Sequence, residues 1–317
     1  MRLKVLYHDR CFDGLTSAAL FSRFFLEKRD PHAEIVYQGL AHKPGEVFGK
    51  HSFDGDETVV VDFRYSQDPR LTWWFDHHES GFPTPADRAH FDAVAKPQHF
   101  YDPKAKSCAK FLARTLEVKY GFDTFPLRDL IEWAELIDGA QFPSPQSAVE
   151  LKEPALRLMT VIEGTADVAF LHDTIRNLMH TSLPELAESS EVVSRLRPLL
   201  ERHGENVEAF RKRAKLEGPV VLTVLGDLSI DSFNKFIPYY LFPEATYTVT
   251  VTQSPQRAKI SVGSNPWRPQ SRTHDLSKLC EKYGGGCHPV VGAVSLKATD
   301  LARAREIAAE MVETLKP

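Results

Sequence analysis

Residues 57 to 63 read ETVVVDF, an unbroken β-branched run with no polar interruption until the aspartate that ends it. A strand of that kind is buried on both faces, which places it inside a parallel sheet covered by helices. The flanking sequence supplies such a sheet. RLKVLYH at 2–8, EIVYQG at 34–39 and LTWWF at 71–75 are further β-rich runs, and SAALFSRFFLEKR at 17–29 has apolar residues at helical spacing. Helices are expected over about 104–120 and 126–138. Strands alternating with helices define an α/β pattern.

From about 145 to 216 strand signals vanish, and the charged, helical stretch ends at Gly218-Pro219. A second α/β pattern follows: VVLTVL, a helix over about 231–241, TYTVTVT, AKISVG, a helix over about 274–283, PVVGAVSL and a closing helix over about 299–315. A chain of 317 residues exceeds the roughly 250–300 that one core usually reaches. The expected organisation is an α/β domain with a parallel sheet at 1–145, a helical connector at 146–216 and a smaller α/β domain at 217–317.

Charge narrows the function classes. The formal net charge of −4 argues against a general nucleic-acid coating protein. Residues 251–317 hold ten Lys/Arg against six Asp/Glu, leaving 29 against 37 for the rest. An acidic larger part suits cations and a basic smaller part suits phosphate, although chance variation over solvated faces accounts for the split equally well. No apolar stretch approaches the roughly 20 residues of a membrane span, and the β-like start lacks a secretory signal's apolar segment. A cytoplasmic location is expected. Cys11, Cys108, Cys280 and Cys287 show no CxxC spacing, which speaks against a zinc knuckle and a disulfide framework.

In open α/β sheets, ligands bind at the carboxyl ends of the strands. The first strand runs into His8, Asp9, Cys11 and Asp13, ETVVVDF reaches Asp62, LTWWF leads into Asp76-His77-His78, and the helix at 126–138 ends at Asp138. Imidazole and carboxylate together favour Mn, Fe, Co or Zn over calcium. A carboxylate shared by two cations is the device by which two-metal hydrolases clamp attacking and leaving oxygens, and Asp62, alone at the end of a central strand, is the natural bridge. Asp76 suits either a ligand or an outer partner that fixes a ligating histidine's tautomer. The remaining histidines, His42 and His99 among them, sit in unpatterned contexts and are expected at the surface.

These residues resemble the DHH phosphoesterases, a family named for the triplet that appears here as Asp76-His77-His78. HDRCFDGLTSAAL is similar to the family's first motif, VVVDF to its second, FDHHES to its third and ELIDG to its fourth, in order. EKYGGGCHPVVGAVSL is similar to the GGGH motif of the associated C-terminal domain. The resemblance covers nearly the whole chain and implies a place in the oligoribonuclease/RecJ-like superfamily. It implies one metal held by His8, Cys11 and Asp62, and a second held by Asp13, Asp62, His77 and Asp138. His78 would face the substrate phosphate, with Asp76 supporting the set. The metals implied are two divalent ions, manganese first, with iron or zinc at the Cys11 position.

Two features depart from the common pattern. Cys11-Phe12-Asp13-Gly14 stands where D-x-D-[AG] is usual and is similar to a C-x-D-G subgroup; Cys11 is either a soft ligand or a small buried residue. GGGCHP carries Cys287 where a fourth glycine often stands, with His288 on the motif histidine. Gly263 occupies the position of a substrate-binding arginine, which Arg268 and Arg272 are placed to replace. Gly284, Gly285 and Gly286 suit an anion nest, and a helix C-cap explains one or two of them. Trp267 suits base stacking or packing.

The resemblance therefore implies a metal-dependent phosphoesterase acting on short oligonucleotides or nucleotides through a water activated by two metals. His78, Asp62 and Asp76 would serve the chemistry, and His78, Gly285, Gly286, His288, Arg268 and Arg272 the substrate. Neither a membrane nor long duplex nucleic acid is expected as a partner, and a homodimer stays open. The rival readings are an exopolyphosphatase-like phosphoanhydride hydrolase and an inactive nucleotide-binding module.

Overall fold

The computed structural model describes residues 1–42, 45–94, 96–228, 230 and 233–316, and of Cys287 the backbone alone. The chain forms two compact units, one of Met1–Gln141 with Glu153–Leu196 and one of Phe142–Lys152 with Arg197–Pro317. The stretch 146–216 is thus shared between them.

The first unit is built on β1 (Arg2–His8), β2 (Glu34–Leu40), β3 (Glu57–Val61), β4 (Trp73–Asp76) and β5 (His99–Tyr101), ordered β2-β1-β3-β4-β5. All these pairings are parallel, with Val5 opposite Tyr37 on one side and Val59 on the other. The β1 connection leaves towards β2 and the β3 connection towards β4. The carboxyl ends of β1 and β3 therefore flank the switch point, where a doubly wound sheet opens a crevice.

Helices α1 (Phe12–Lys28), α2 (Pro85–Val94), α3 (Cys108–Tyr120) and α4 (Arg128–Asp138) belong to this unit. α5 (Pro145–Glu150) belongs to the second; α6 (Pro154–Gly164), α7 (Val168–Leu178) and α8 (Leu183–Ala187) return to the first, and α9 (Ser190–Arg213) runs from the first into the second. α1 packs on β1 and β3 and against α3, α4 and α7. The adjacent tryptophans of β4 show how the sheet is clad. Trp73 meets Phe21 and Phe24 of α1 at 5.4 and 5.8 Å. Trp74, one residue on and so on the opposite face, joins Tyr65, Phe82 and Phe91, and its indole N–H donates to the Phe63 carbonyl at 2.8 Å.

The second unit carries β6 (Lys215–Glu217), β7 (Val220–Val224), β8 (Tyr247–Gln253), β9 (Arg257–Ser264), β10 (Gly286–His288) and β11 (Val291–Lys297). They form a mixed sheet ordered β10-β11-β9-β8-β7-β6, in which only β7 and β8 run parallel. Period-two alternation along β8 buries Tyr247, Val249 and Val251 against α12 (Leu301–Leu315), with Ile307, Met311 and Val312 facing them. α10 (Ile237–Leu241) and α11 (Leu276–Glu281) complete the unit.

Several boundaries differ from expectation. The helix expected over 231–241 begins at Ile237, where Pro238 suits a first turn; Asp231 and Ser232 lie outside the described residues. The helix expected from 104 begins at Cys108, after Ser107, whose hydroxyl accepts the Lys110 N–H. β5, β6 and β10, each three residues, and α2, which buries no residue fully, carried no periodic signal. His99 is buried in β5 rather than exposed. No described helix is long and apolar enough to cross a membrane.

Candidate metal centre

The β1–α1 turn shapes the first wall. His8 ends β1, and Gly14, in the first turn of α1, lies so close to the His8 carbonyl that a Cβ there would collide with it. Cys11 takes the N-cap position of α1 with extended backbone and makes no capping bond through its side chain. Ser, Thr, Asp or Asn would ordinarily stand there. The position carries a thiol instead, grouped with His8 and Asp62 so that one donor atom of each lies within 4.8 Å of the others.

Asp13 is buried, and both its oxygens accept main-chain bonds at the start of α3, from Cys108 N–H at 2.6 Å and Ala109 N–H at 2.9 Å. These bonds hold the carboxylate at a helix N-terminus, where negative charge is favoured. Asp62 follows β3 in left-handed backbone, φ +57°, a conformation uncommon outside glycine though tolerated by Asp. Its N–H donates to the Phe75 carbonyl at 2.9 Å, which ties the turn to β4.

The triplet at the end of β4 divides its work. His77 N–H and His78 N–H both donate to Asp76 Oδ1, and His78 Nδ1 lies 2.7 Å from the same oxygen. The carboxylate must accept, so Nδ1 of His78 carries a proton; burial pulls the imidazole's pKa down, but the Asp76 bond and the Asp62 and Asp76 charges raise it. Asp76 Oδ1 thus accepts from both main-chain N–H groups and from the His78 ring. Tyr101 of β5 donates to the His78 carbonyl at 3.0 Å and steadies the same turn.

His77 Nδ1 lies 3.0 Å from the Ala105 carbonyl and must donate to it. Its Nε2 then faces three carboxylates, at 3.4 Å from Asp62 Oδ1, 3.4 Å from Asp138 Oδ2 and 3.8 Å from Asp13 Oδ2. Asp62 Oδ2 in turn lies 3.3 Å from His8 Nδ1. Within this cluster, Asp62 Oδ1, Asp76 Oδ2 and His77 Nε2 are buried without a hydrogen-bond partner among the described residues.

This donor set fits a divalent cation. A lone pair on Nε2 and three carboxylates cannot share a buried space without a positive charge between them. Ligands about 2.0–2.2 Å from one ion stand about 3.0–3.5 Å apart, close to the spacings around His77 Nε2. Without a cation, the imidazole itself must take the role. Burial pulls its pKa down, but the Asp62 contact and the Asp13 and Asp62 charges raise it to about 10. Burial pushes Asp13, Asp138 and the Cys11 thiol up, and the Asp62 charge adds to each. Asp62 alone goes down: burial opposes it, but the His77 imidazole beside it and the His8 contact hold it well below the usual carboxylate range. The structure brings His8, Cys11 and Asp62 together, and likewise Asp13, His77 and Asp138, with Asp62 Oδ1 3.4 Å from His77 Nε2.

Sequence reasoning missed four contributors. The Ala105 carbonyl and the Cys108 and Ala109 N–H groups are main-chain atoms, which residue identity does not reveal. His42, expected as an ordinary surface residue, is exposed but stacks on Phe63 and meets His8 edge-on at 4.7 Å.

The remaining candidates belong to the second unit. Gly284 has φ +74° and donates to the Glu281 carbonyl, while Gly285 donates to the Cys280 carbonyl, both at 3.0–3.1 Å. These bonds form a Schellman cap on α11. The anion-nest expectation is corrected for this pair: both N–H groups are spent on the helix end. Gly286 lies in β10 opposite Ala293, and His288 opposite Val291; the Cys287 side chain lies outside what is described. Arg268 and Arg272 each direct one guanidinium N–H to a main-chain carbonyl, of Glu244 and Pro289. Trp267 is packed against Phe236, its indole N–H on the Phe142 carbonyl at 2.7 Å.

The fold has solved counterparts. Aligned over 99% of both chains, the protein superposes on the pGpG-specific phosphodiesterase PggH of Vibrio cholerae with a TM-score of 0.71 at 20% identity. Thermus thermophilus RecJ in complex with Mn2+ gives 0.58 at 15%, over 99% of this chain and 52% of RecJ. The DHH domain of a member of a ribosomal-protein family gives 0.54 at 14%, over 100% and 88%. At these identities the likeness is one of fold, and it agrees with the α/β architecture expected from sequence. No family model and no curated protein matches the chain by sequence.

Proposed function

We propose that the chain is a metal-dependent phosphodiesterase that hydrolyses 5′-phosphorylated dinucleotides and comparably short oligonucleotides to nucleoside monophosphates. The observation that carries this is the pair of unpartnered buried atoms, Asp62 Oδ1 and His77 Nε2, set among Asp13, Asp138, His8 and Cys11 at the switch point of a parallel sheet. The fold likeness to a pGpG-specific phosphodiesterase supports the short substrate.

His8, Cys11 and Asp62 would hold one divalent cation and Asp13, Asp62, His77 and Asp138 the other. Bound there, the pair would supply a polarised water and charge neutralisation at a phosphoryl oxygen. The protein's own groups do the positioning. Asp13 is held by the first turn of α3, His77 by Ala105, and His78 by Asp76, a bond that raises the imidazole's pKa and so favours the imidazolium, whose Nε2–H can donate to a phosphate oxygen. One water enters, one P–O bond breaks, and a dinucleotide gives two monophosphates. His288, Arg268 and Arg272 are proposed to hold the nucleotide end.

The test is elemental analysis of protein purified without chelator, followed by hydrolysis of pGpG in Mn2+. Two bound ions and release of guanosine monophosphate are expected. Hydrolysis of polyphosphate but not pGpG overturns the substrate assignment, and nucleotide binding without turnover in Mn2+, Zn2+ or Fe2+ overturns the enzyme assignment.

A further inference from the structure

His42 lies two residues past β2, outside every motif that the ligand sets draw on. Its ring stacks on Phe63 at 4.6 Å and 28°, lies edge-on to His8 at 4.7 Å, and is 6.0 Å from His78. Phe63 is fully buried and directly follows Asp62, so the stack ties His42 to the turn that carries the shared carboxylate. One ring nitrogen from each of His8, His42 and His78 lies within 4.8 Å of the others.

We propose that His42 is a metal ligand that joins His8 and Cys11 on the cation at the β1 end of the site. The inference rests on the metal-dependent reading above and adds a residue to it. Imidazole nitrogens on one cation at about 2.0–2.1 Å stand about 3.0–3.5 Å apart, so a side-chain rotation that shortens the His8–His42 separation would bring both rings onto it. Stacking on Phe63 confines the ring to one plane, the preorganisation a ligand needs. His78, held by Asp76, keeps its phosphate-facing role.

The consequence is a site with two unlike ends. Around His77 the donors are mainly carboxylates, which suit manganese or magnesium. Around His8 they become two imidazoles, a thiolate and one carboxylate oxygen, which suit zinc or iron. His42 thereby supplies a neutral donor at the end where Cys11 has replaced a carboxylate.

Zinc binding to the chelator-treated full-length protein tests this, using wild type, His42→Ala, His42→Phe and Asp62→Ala, with manganese titrated in parallel. His42→Phe keeps an aromatic ring against Phe63 and removes the donor nitrogen. Both His42 variants are expected to bind zinc more than about 100-fold more weakly, beyond the roughly 10- to 100-fold that loss of an outer partner costs, with manganese binding at the His77 end unchanged. Wild-type zinc affinity in His42→Ala, or recovery of it in His42→Phe, overturns the inference, whatever happens to KM. If wild type binds zinc and Asp62→Ala does not, the metal-dependent reading stands independently; if wild type binds no divalent cation, that reading falls as well.

Discussion

The two units handle buried polar groups in opposite ways. At the carboxyl ends of β1, β3 and β4, ionisable side chains are packed together with Asp62 Oδ1 and His77 Nε2 unmatched, and Asp62 sits in left-handed backbone. In the second unit the glycine-rich segment, the most conspicuous motif there, has two of its N–H groups spent on a helix cap, and Trp267 and the arginines donate to carbonyls. Among its described residues, the unmatched buried side-chain atoms are the hydroxyls of Thr223 and Tyr239. Uncompensated charge is costly in a protein interior, so a region that concentrates it is organised around something that compensates it. On this contrast, the proposed cation binding and bond cleavage belong to the first unit, and the second is left with the proposed hold on the nucleotide.

The most damaging test removes the carboxylate that both ligand sets share. Asp62→Ala is expected to lower kcat on pGpG by at least about 10³-fold, the upper end of what loss of one preorganised electrostatic contact costs. Thermal stability of the chelator-treated variant should fall, because Asp62 is the carboxylate of the cluster whose charged form its imidazole neighbours stabilise. Retained turnover would break the assignment of chemistry to the first unit.

Metal addition sharpens the contrast without mutation. A cation at about 100 times its Kd stabilises the state that binds it by about 2.7 kcal/mol, or about 100-fold in the opening equilibrium. Amide exchange of β1, β3 and β4 should slow by up to that factor on adding Mn2+, while β8, β9 and β11 keep their rates. Equal protection of both sheets would mean that the cation acts on the whole chain.

Next in size is Asp76→Asn. The amide can still accept from the His77 and His78 main chain, but it loses the charge that fixes the protonated Nδ1 of His78. A fall of about 10- to 100-fold in kcat/KM is expected, with metal content unchanged, as for an outer partner of a site residue. Loss of metal would make Asp76 a ligand, its other reading in the sequence.

How much of this was legible depended on where each feature is encoded. ETVVVDF and LTWWF announce buried parallel strands by composition, and the acids and histidines that end them are visible because they interrupt apolar runs. The sheet order and the placing of His8 beside Asp62 follow from that architecture. Ala105, Cys108 and Ala109 act through main-chain atoms, which any residue would carry. His42 reaches the site through a turn after β2 and a stack on Phe63, and neither leaves a periodic trace. The three glycines were ambiguous for a local reason: left-handed backbone serves an anion nest and a helix cap alike, and the hydrogen-bond partners decide between them.

That ambiguity yields the smallest and most discriminating prediction. Gly284 is at φ +74° with space around it, so a side chain there meets strain in the backbone rather than a collision. Gly284→Ala should cost about 1–2 kcal/mol, the penalty of left-handed backbone for an L-residue, and Gly284→Asn less. Unfolding in urea measures this directly, as a shift in midpoint at constant slope. If the N–H groups belong to the cap, the loss of stability comes with an unchanged KM for pGpG. A rise in KM at unchanged stability would return these amides to an anion and move part of substrate recognition into the glycine turn.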